Sequence, residues 1–304
     1  MGCFPQKCKQ MTNEKNEDRD LAGLLNGFLL TNDERRIIEY LLSNSGLPGP
    51  RGNLELAKDF VGLVEDYVSK SSRRMWSLCV KLADVSPDEA PVNNPREFLP
   101  FCGIYAMGAI GSSSLTYFRE ALSRIRKSAS DPRWRIREAV AMGIQELLAK
   151  QTQNTLKELE GWIMKDNWLV MRAVAAGVAE PALLTNKRTA RSALKLHKRI
   201  FTQILNARER GSGEFKTLKK GLGYTLSVVI CAVPKEGFEY MHELLDSRDA
   251  DVVWIIKENL KKNRLMKNYP DNVASVEELL RRASSRSAKV RNYRRNFEAT
   301  TTTK

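Results

Sequence analysis

The sequence contains only two histidines, His197 and His242, far apart and each beside charged helix-surface residues. That scarcity argues against a histidine triad or a histidine-rich metal site. The five cysteines (Cys3, Cys8, Cys79, Cys102, Cys231) are odd in number and lack metal-ligand spacing, which predicts a reduced, cytoplasmic protein. Cys79, Cys102 and Cys231 lie in apolar helical segments and read as small core residues. Asp246, Asp249 and Asp251, near Arg248, have no calcium-loop spacing and suit helix capping. Gly211-Ser-Gly213-Glu-Phe-Lys216-Thr217 has the composition of a phosphate loop without its spacing or a preceding strand, so it reads as a flexible turn. Neither a metal nor a cofactor is expected. The longest apolar run, Leu226 to Val233, stops at Pro234, well short of the roughly 20 residues of a membrane span. The opening Met1-Gly2-Cys3 has Gln6 where a lipidation pattern wants Ser or Thr, so a polar, frayed N-terminus is expected instead. Strand-like alternation is essentially missing.

The chain does contain a repeat. Trp134-Arg-Ile-Arg-Glu138-Ala139-Val140-Ala141-Met-Gly143 returns 34 residues later as Trp168-Leu-Val-Met-Arg172-Ala173-Val174-Ala175-Ala-Gly177. Ala106-Met107-Gly108 stands 35 before Ala141-Met142-Gly143. A period in this range marks stacked supersecondary units that bury their apolar faces against neighbours. Small residues at the repeat centre let helix backbones approach, and Trp134 and Trp168 at the helix starts are expected to fill the wider space between layers.

Helical periodicity and breakers divide the chain. Residues 1–20 read as disordered and 21–95 as a helical N-terminal cap. Leu21, Leu24, Leu25 and Phe28 share one face, and a long amphipathic helix runs from Asn53 to about Leu82. The proline-rich stretch from Ser86 to Pro100 reads as a loop. Residues 96–268 form the repeat array, in which Ser130-Asp131-Pro132 is expected to cap the helix from Trp134. Residues 269–304 hold a short closing helix and a disordered basic tail. The predicted fold is all-α, a solenoid of stacked antiparallel helix pairs.

The net charge of +14 is unevenly placed. Eleven Lys or Arg lie between Lys187 and Lys220 against Glu209 and Glu214, and the tail from Arg281 carries eight against Glu298. Such stretches point to an anionic partner, nucleic acid or an acidic protein.

Asp131-Pro-x-Trp-x-Ile-Arg137-x-Ala139, Asp166-x-Trp168-x-Val-x-Arg172-Ala173 and Asp249-x-Asp-Val-Val-Trp254 resemble HEAT repeats, over roughly Phe98 to Arg264. The ending from Trp254 to Leu265 resembles uncharacterised prokaryotic HEAT-repeat proteins. The resemblance implies an Asp capping the second helix of each unit and an Arg along the inner surface. It also implies a binding scaffold, without naming a ligand. On that surface Arg135, Arg137, Arg172, Lys187, Arg188 and Arg191 are the candidate contacts, with Trp134 and Trp168 as stacking surfaces. Trp134-x-x-x-Glu138 followed by Trp168-x-x-x-Arg172 is also similar, in outline, to HEAT-like alkylpurine DNA glycosylases. There a carboxylate stabilises a cationic sugar, which would make Glu138 catalytic. Glu138 stands where that family uses Asp, and no further Trp follows at the next repeat distance. Helix-surface charge for Glu138 and interlayer core for both tryptophans remain the plainer reading, and a protein-binding scaffold is the third.

Overall fold

Short polar side chains set where the helices begin. Asn53, Asn186, Ser212 and Asp249 each stand at a helix N-cap and accept hydrogen bonds from amides in the first turn, supplying partners for N–H groups that the helix itself leaves open. The computed structural model describes residues 20–163 and 167–282, and every regular element among them is helical. In order these are α1 (Leu21–Thr31), α2 (Arg35–Ser43), α3 (Leu54–Ala83), α4 (Phe98–Ser113), α5 (Leu115–Ser128), α6 (Trp134–Lys150), α7 (Thr152–Trp162), α8 (Trp168–Gly177), α9 (Lys187–Asn206), α10 (Gly213–Ala232), α11 (Pro234–Asp246), α12 (Ala250–Leu260) and α13 (Asn263–Asn268). A last helix, α14, covers 270–282. No described helix is long and apolar enough to cross a membrane. The expectations for the N-terminus before Asp20, for a cap at Asp166 and for the tail beyond 282 lie outside the described residues.

The chain falls into two compact units, Met1–Glu158 and Leu159–Lys304. In the first, α4 is the centre, packed against α3, α5 and α6. All but the last of its residues are buried, from Phe98 to Ser112, so it has no polar face to show an amphipathic pattern. Its contact with α6 is unusually close. A Cβ placed on Gly108 would lie 2.3 Å from the Gly143 carbonyl oxygen and 2.5 Å from Gly143 Cα. Gly103 stands equally tight against α3, where a Cβ would meet Ala83 N at 2.6 Å. The small residues of the repeat therefore sit at helix crossings, as their spacing predicts. The helix begins at Phe98 with Pro100 in its first turn, a position that tolerates proline, so the preceding loop is shorter than the prolines suggest.

In the second unit α8, α10 and α12 form a row, α10 between the other two. Alongside it, α9 and α11 meet through Phe201 and Tyr240, whose rings stand edge to face at 5.9 Å. These two rows are the stacked-pair architecture of a helical repeat. Asn259 of α12 locks the row: buried, it donates to Leu222 O at 2.9 Å and accepts from Ser227 N at 2.7 Å. His197 is fully buried on α9, not at a helix surface. Its Nδ1 lies 2.9 Å from Ala193 O and its Nε2 3.0 Å from Thr225 Oγ1. Those partners fit a neutral ring that donates from Nδ1 and accepts at Nε2. Burial brings its pKa down to about 4.

Candidate binding surfaces

The start of α6 differs from the expectation in two respects. Asp131 does not cap the helix; Arg133 occupies the N-cap position. The Asp131 carboxylate instead accepts from Arg133 N at 2.8 Å and from its guanidinium at 2.7 and 2.9 Å. Arg133 is itself buried and donates to the carbonyls of Val85, Ser86 and Ala90, tying the proline-rich loop to the array. Nor is Trp134 interlayer core. It is 44% exposed, because a first-turn side chain projects beyond the helix crossings that bury Ile136, Ala139 and Val140.

Arg135 is 6% exposed and is not a cation held out to solvent. It forms an ion pair with the fully buried Glu97 at 3.0 Å and donates to Gly49 O at 2.7 Å. Its guanidinium lies 4.5 Å from the centre of the Trp134 ring. Arg137 turns back on the chain and donates to Asp131 O and Pro132 O at 2.7 and 2.9 Å. Trp134, Arg135 and Glu138 do come together: with Glu97, Phe98 and other residues they line a cavity of about 270 Å³. Glu138 is half-buried there.

In the second unit Trp168 is half-buried, edge to face with Phe215 at 5.3 Å. Arg172 lays its stem across α10, where a Cβ on Gly221 would meet Arg172 Cγ at 3.3 Å. The basic helix α9 is largely paired with its neighbours. Lys187 donates to Ala232 O at 2.6 Å, at the C-terminal end of α10. Arg191 pairs with Glu236 at 2.9 Å and Lys198 with Glu243 at 3.6 Å, both on α11. Lys195 and Arg199 both reach Glu160 of α7. Arg188 is exposed.

The surface that sequence reasoning missed lies on α10, α12 and α13. Tyr224 of α10 is 49% exposed. Arg264 stacks its guanidinium 4.5 Å from the ring centre and donates to Tyr224 Oη at 2.6 Å, and Lys262 Nζ lies 6.0 Å from the same ring. On α12, Trp254 carries Lys219 Nζ over its ring at 4.8 Å, and Lys219 also pairs with Asp251 at 2.8 Å. Trp254 continues into an open groove of about 1010 Å³ lined also by Lys257, Lys261 and Arg281. Only the basic residues around Trp254 hinted at this surface, because its aromatic and cationic members come from three helices. No family model and no curated protein matches the chain. Among solved structures, an engineered protein is 14% identical over 85% of this chain and 98% of its own, with a TM-score of 0.35. A designed armadillo repeat protein is 14% identical over 80% and 99%, with a TM-score of 0.33. The repeat architecture described above rests on the helices of this chain.

Proposed function

We propose that the protein is a non-catalytic helical-repeat scaffold that holds an anionic macromolecule, nucleic acid foremost, on the α10–α12–α13 face of its second unit. The observation that supports this is the pairing of aromatic rings with cations on one unit, exposed Tyr224 with Arg264 and Lys262 and half-buried Trp254 with Lys219. Bases stack on such rings with little regard to sequence, while flanking guanidinium and ammonium groups meet phosphates. Arg172, Arg188, Lys216 and Lys220 extend the positive field of the same unit, and Asp251 and Glu258 moderate it. An acidic protein would use the cations and gain little from the rings.

The test is a titration of fluorescent single-stranded and duplex oligonucleotides over a salt series. Affinity should fall with a double-logarithmic slope of about 0.7 per phosphate contact for the single strand and about 0.9 for the duplex. Tyr224→Ala should weaken single-strand binding by about 1–3 kcal/mol. Undetectable or salt-insensitive binding removes the nucleic-acid reading and leaves a protein-binding scaffold. Release of alkylated purines from methylated duplex, lost in Glu138→Gln, would replace it with the glycosylase reading, in favour of which Trp134 and Glu138 line one cavity.

A further inference from the structure

We infer that the pocket bounded by the short turn Leu183–Thr185, the C-terminal end of α10 and α13 is a binding site for a small organic acid, an apolar body carrying one carboxylate. The inference does not rest on the nucleic-acid reading, although Arg264 takes part in both.

Size and lining define the body of the ligand. At about 390 Å³ the pocket sits at the lower end of the range for small-molecule sites, so it suits a single ring or a short chain. Pro181, Leu184, Val228 and Ala232 supply apolar wall, against which an apolar body is better placed than in water.

The charge of the pocket is one-sided. Lys187 and Arg264 line it, and no Asp or Glu among the described residues does. Elsewhere on α9 the cations meet carboxylates, Arg191 that of Glu236, Lys195 and Arg199 that of Glu160. Lys187 instead donates to a backbone carbonyl, Ala232 O, and Arg264 to the Tyr224 hydroxyl, so among the described residues no carboxylate neutralises either. An ammonium and a guanidinium both keep N–H donors after one such bond, and the guanidinium fork matches a carboxylate.

The end of α10 sets how much negative charge the ligand carries. A helix C-terminus contributes roughly half a negative charge, which offsets part of the two cations and favours a monoanion over a phosphate dianion. Its carbonyls are already engaged, Ala232 O by Lys187 at 2.6 Å and Cys231 O by the Tyr269 hydroxyl at 3.1 Å. The pocket therefore offers donors and hydrocarbon. Cys231, half-buried, lines it too and can report on occupancy.

Phenylacetate is the probe, and phenylacetamide, of the same shape without the charge, is the control. Ligand-observed NMR on the full chain should show phenylacetate binding, with phenylacetamide about tenfold weaker or more because the charge-assisted bonds are lost. Saturating phenylacetate should also slow alkylation of Cys231 by N-ethylmaleimide about tenfold or more, read by peptide mass spectrometry, which separates it from the other cysteines. Lys187→Met keeps the stem and removes the charge, and should weaken phenylacetate binding about tenfold or more. Asn268→Trp, at an exposed position on the rim, should do the same by filling the pocket; should Lys187→Met fail to fold, Asn268→Trp carries the test. No binding at about 10 mM phenylacetate, equal binding of phenylacetamide, unprotected Cys231, or undiminished binding to either folded variant would each overturn the inference. None of these outcomes bears on the oligonucleotide titration, so the two readings stand or fall separately.

Discussion

Gly108 and Gly143, one repeat apart, touch backbone to backbone where α4 crosses α6, leaving no room for a methyl group on the Gly108 side. Gly108→Ala must therefore push two helices apart, and the atoms it would meet are backbone rather than the tip of a flexible side chain. The expected loss is at the upper end of about 1–3 kcal/mol, or beyond it. Gly62→Ala is the control: on α3 a Cβ there meets nothing within 4 Å, so better helix propensity should raise stability by about 0.5–1 kcal/mol. Urea denaturation of both variants decides; an unchanged midpoint for Gly108→Ala would mean that the crossing is looser than its geometry.

Breaking the Glu97–Arg135 pair from one side should be costly. Arg135→Met leaves a fully buried carboxylate without its guanidinium, a situation worth about 3–5 kcal/mol. Glu97→Leu combined with Arg135→Met should recover much of that, since no buried charge remains unpaired. A double-mutant cycle in denaturant checks both; equal losses for the single and double variants would show that Arg135 acts through Gly49 and Asn93 instead.

Acid should destabilise the second unit through His197. Its pKa in the folded protein is pulled below the ordinary 6.5, to about 4, so the unfolded chain binds the proton more tightly. Stability is then fully present above about pH 6.5, declines as pH falls toward 4, and changes no further below that through this group. The difference corresponds to roughly 3 kcal/mol at most. Comparing denaturation midpoints of the wild type and His197→Gln at pH 7 and pH 5 tests it: the variant should lose part of the pH dependence.

Trp134→Ala should cost less than about 1.5 kcal/mol, not the 3–5 kcal/mol of a core tryptophan, because the side chain stands 44% exposed. Thermal melts read this directly, and a loss above about 3 kcal/mol would return the ring to the core.

Much of the fold was legible because its signals are local. N-cap residues, glycine breakers and the 34–35-residue repeat are short-range patterns, and Asn53, Asp249 and Gly108 mean in three dimensions what they suggest in the chain. Asp131 was misread because a carboxylate next to Arg133 has a stronger partner than the helix amides. The binding surfaces were much less legible. Glu97 and Arg135 are 38 residues apart, and no periodicity connects them. Arg264 and Tyr224, 40 apart, belong to different helices whose exposed sides only the packing fixes.

The pairing of α9 changes what ionic strength does to this protein. Arg191, Lys195, Lys198 and Arg199 bind the carboxylates of α7 and α11, and these partly exposed pairs weaken as salt rises. Salt therefore acts on the second unit before any ligand is added, loosening α9 from its flanking helices while it also screens phosphates. A binding curve taken at several salt concentrations mixes the two effects unless melts of the free protein are recorded in the same buffers. Only the part of the slope that the free protein does not share counts released counterions.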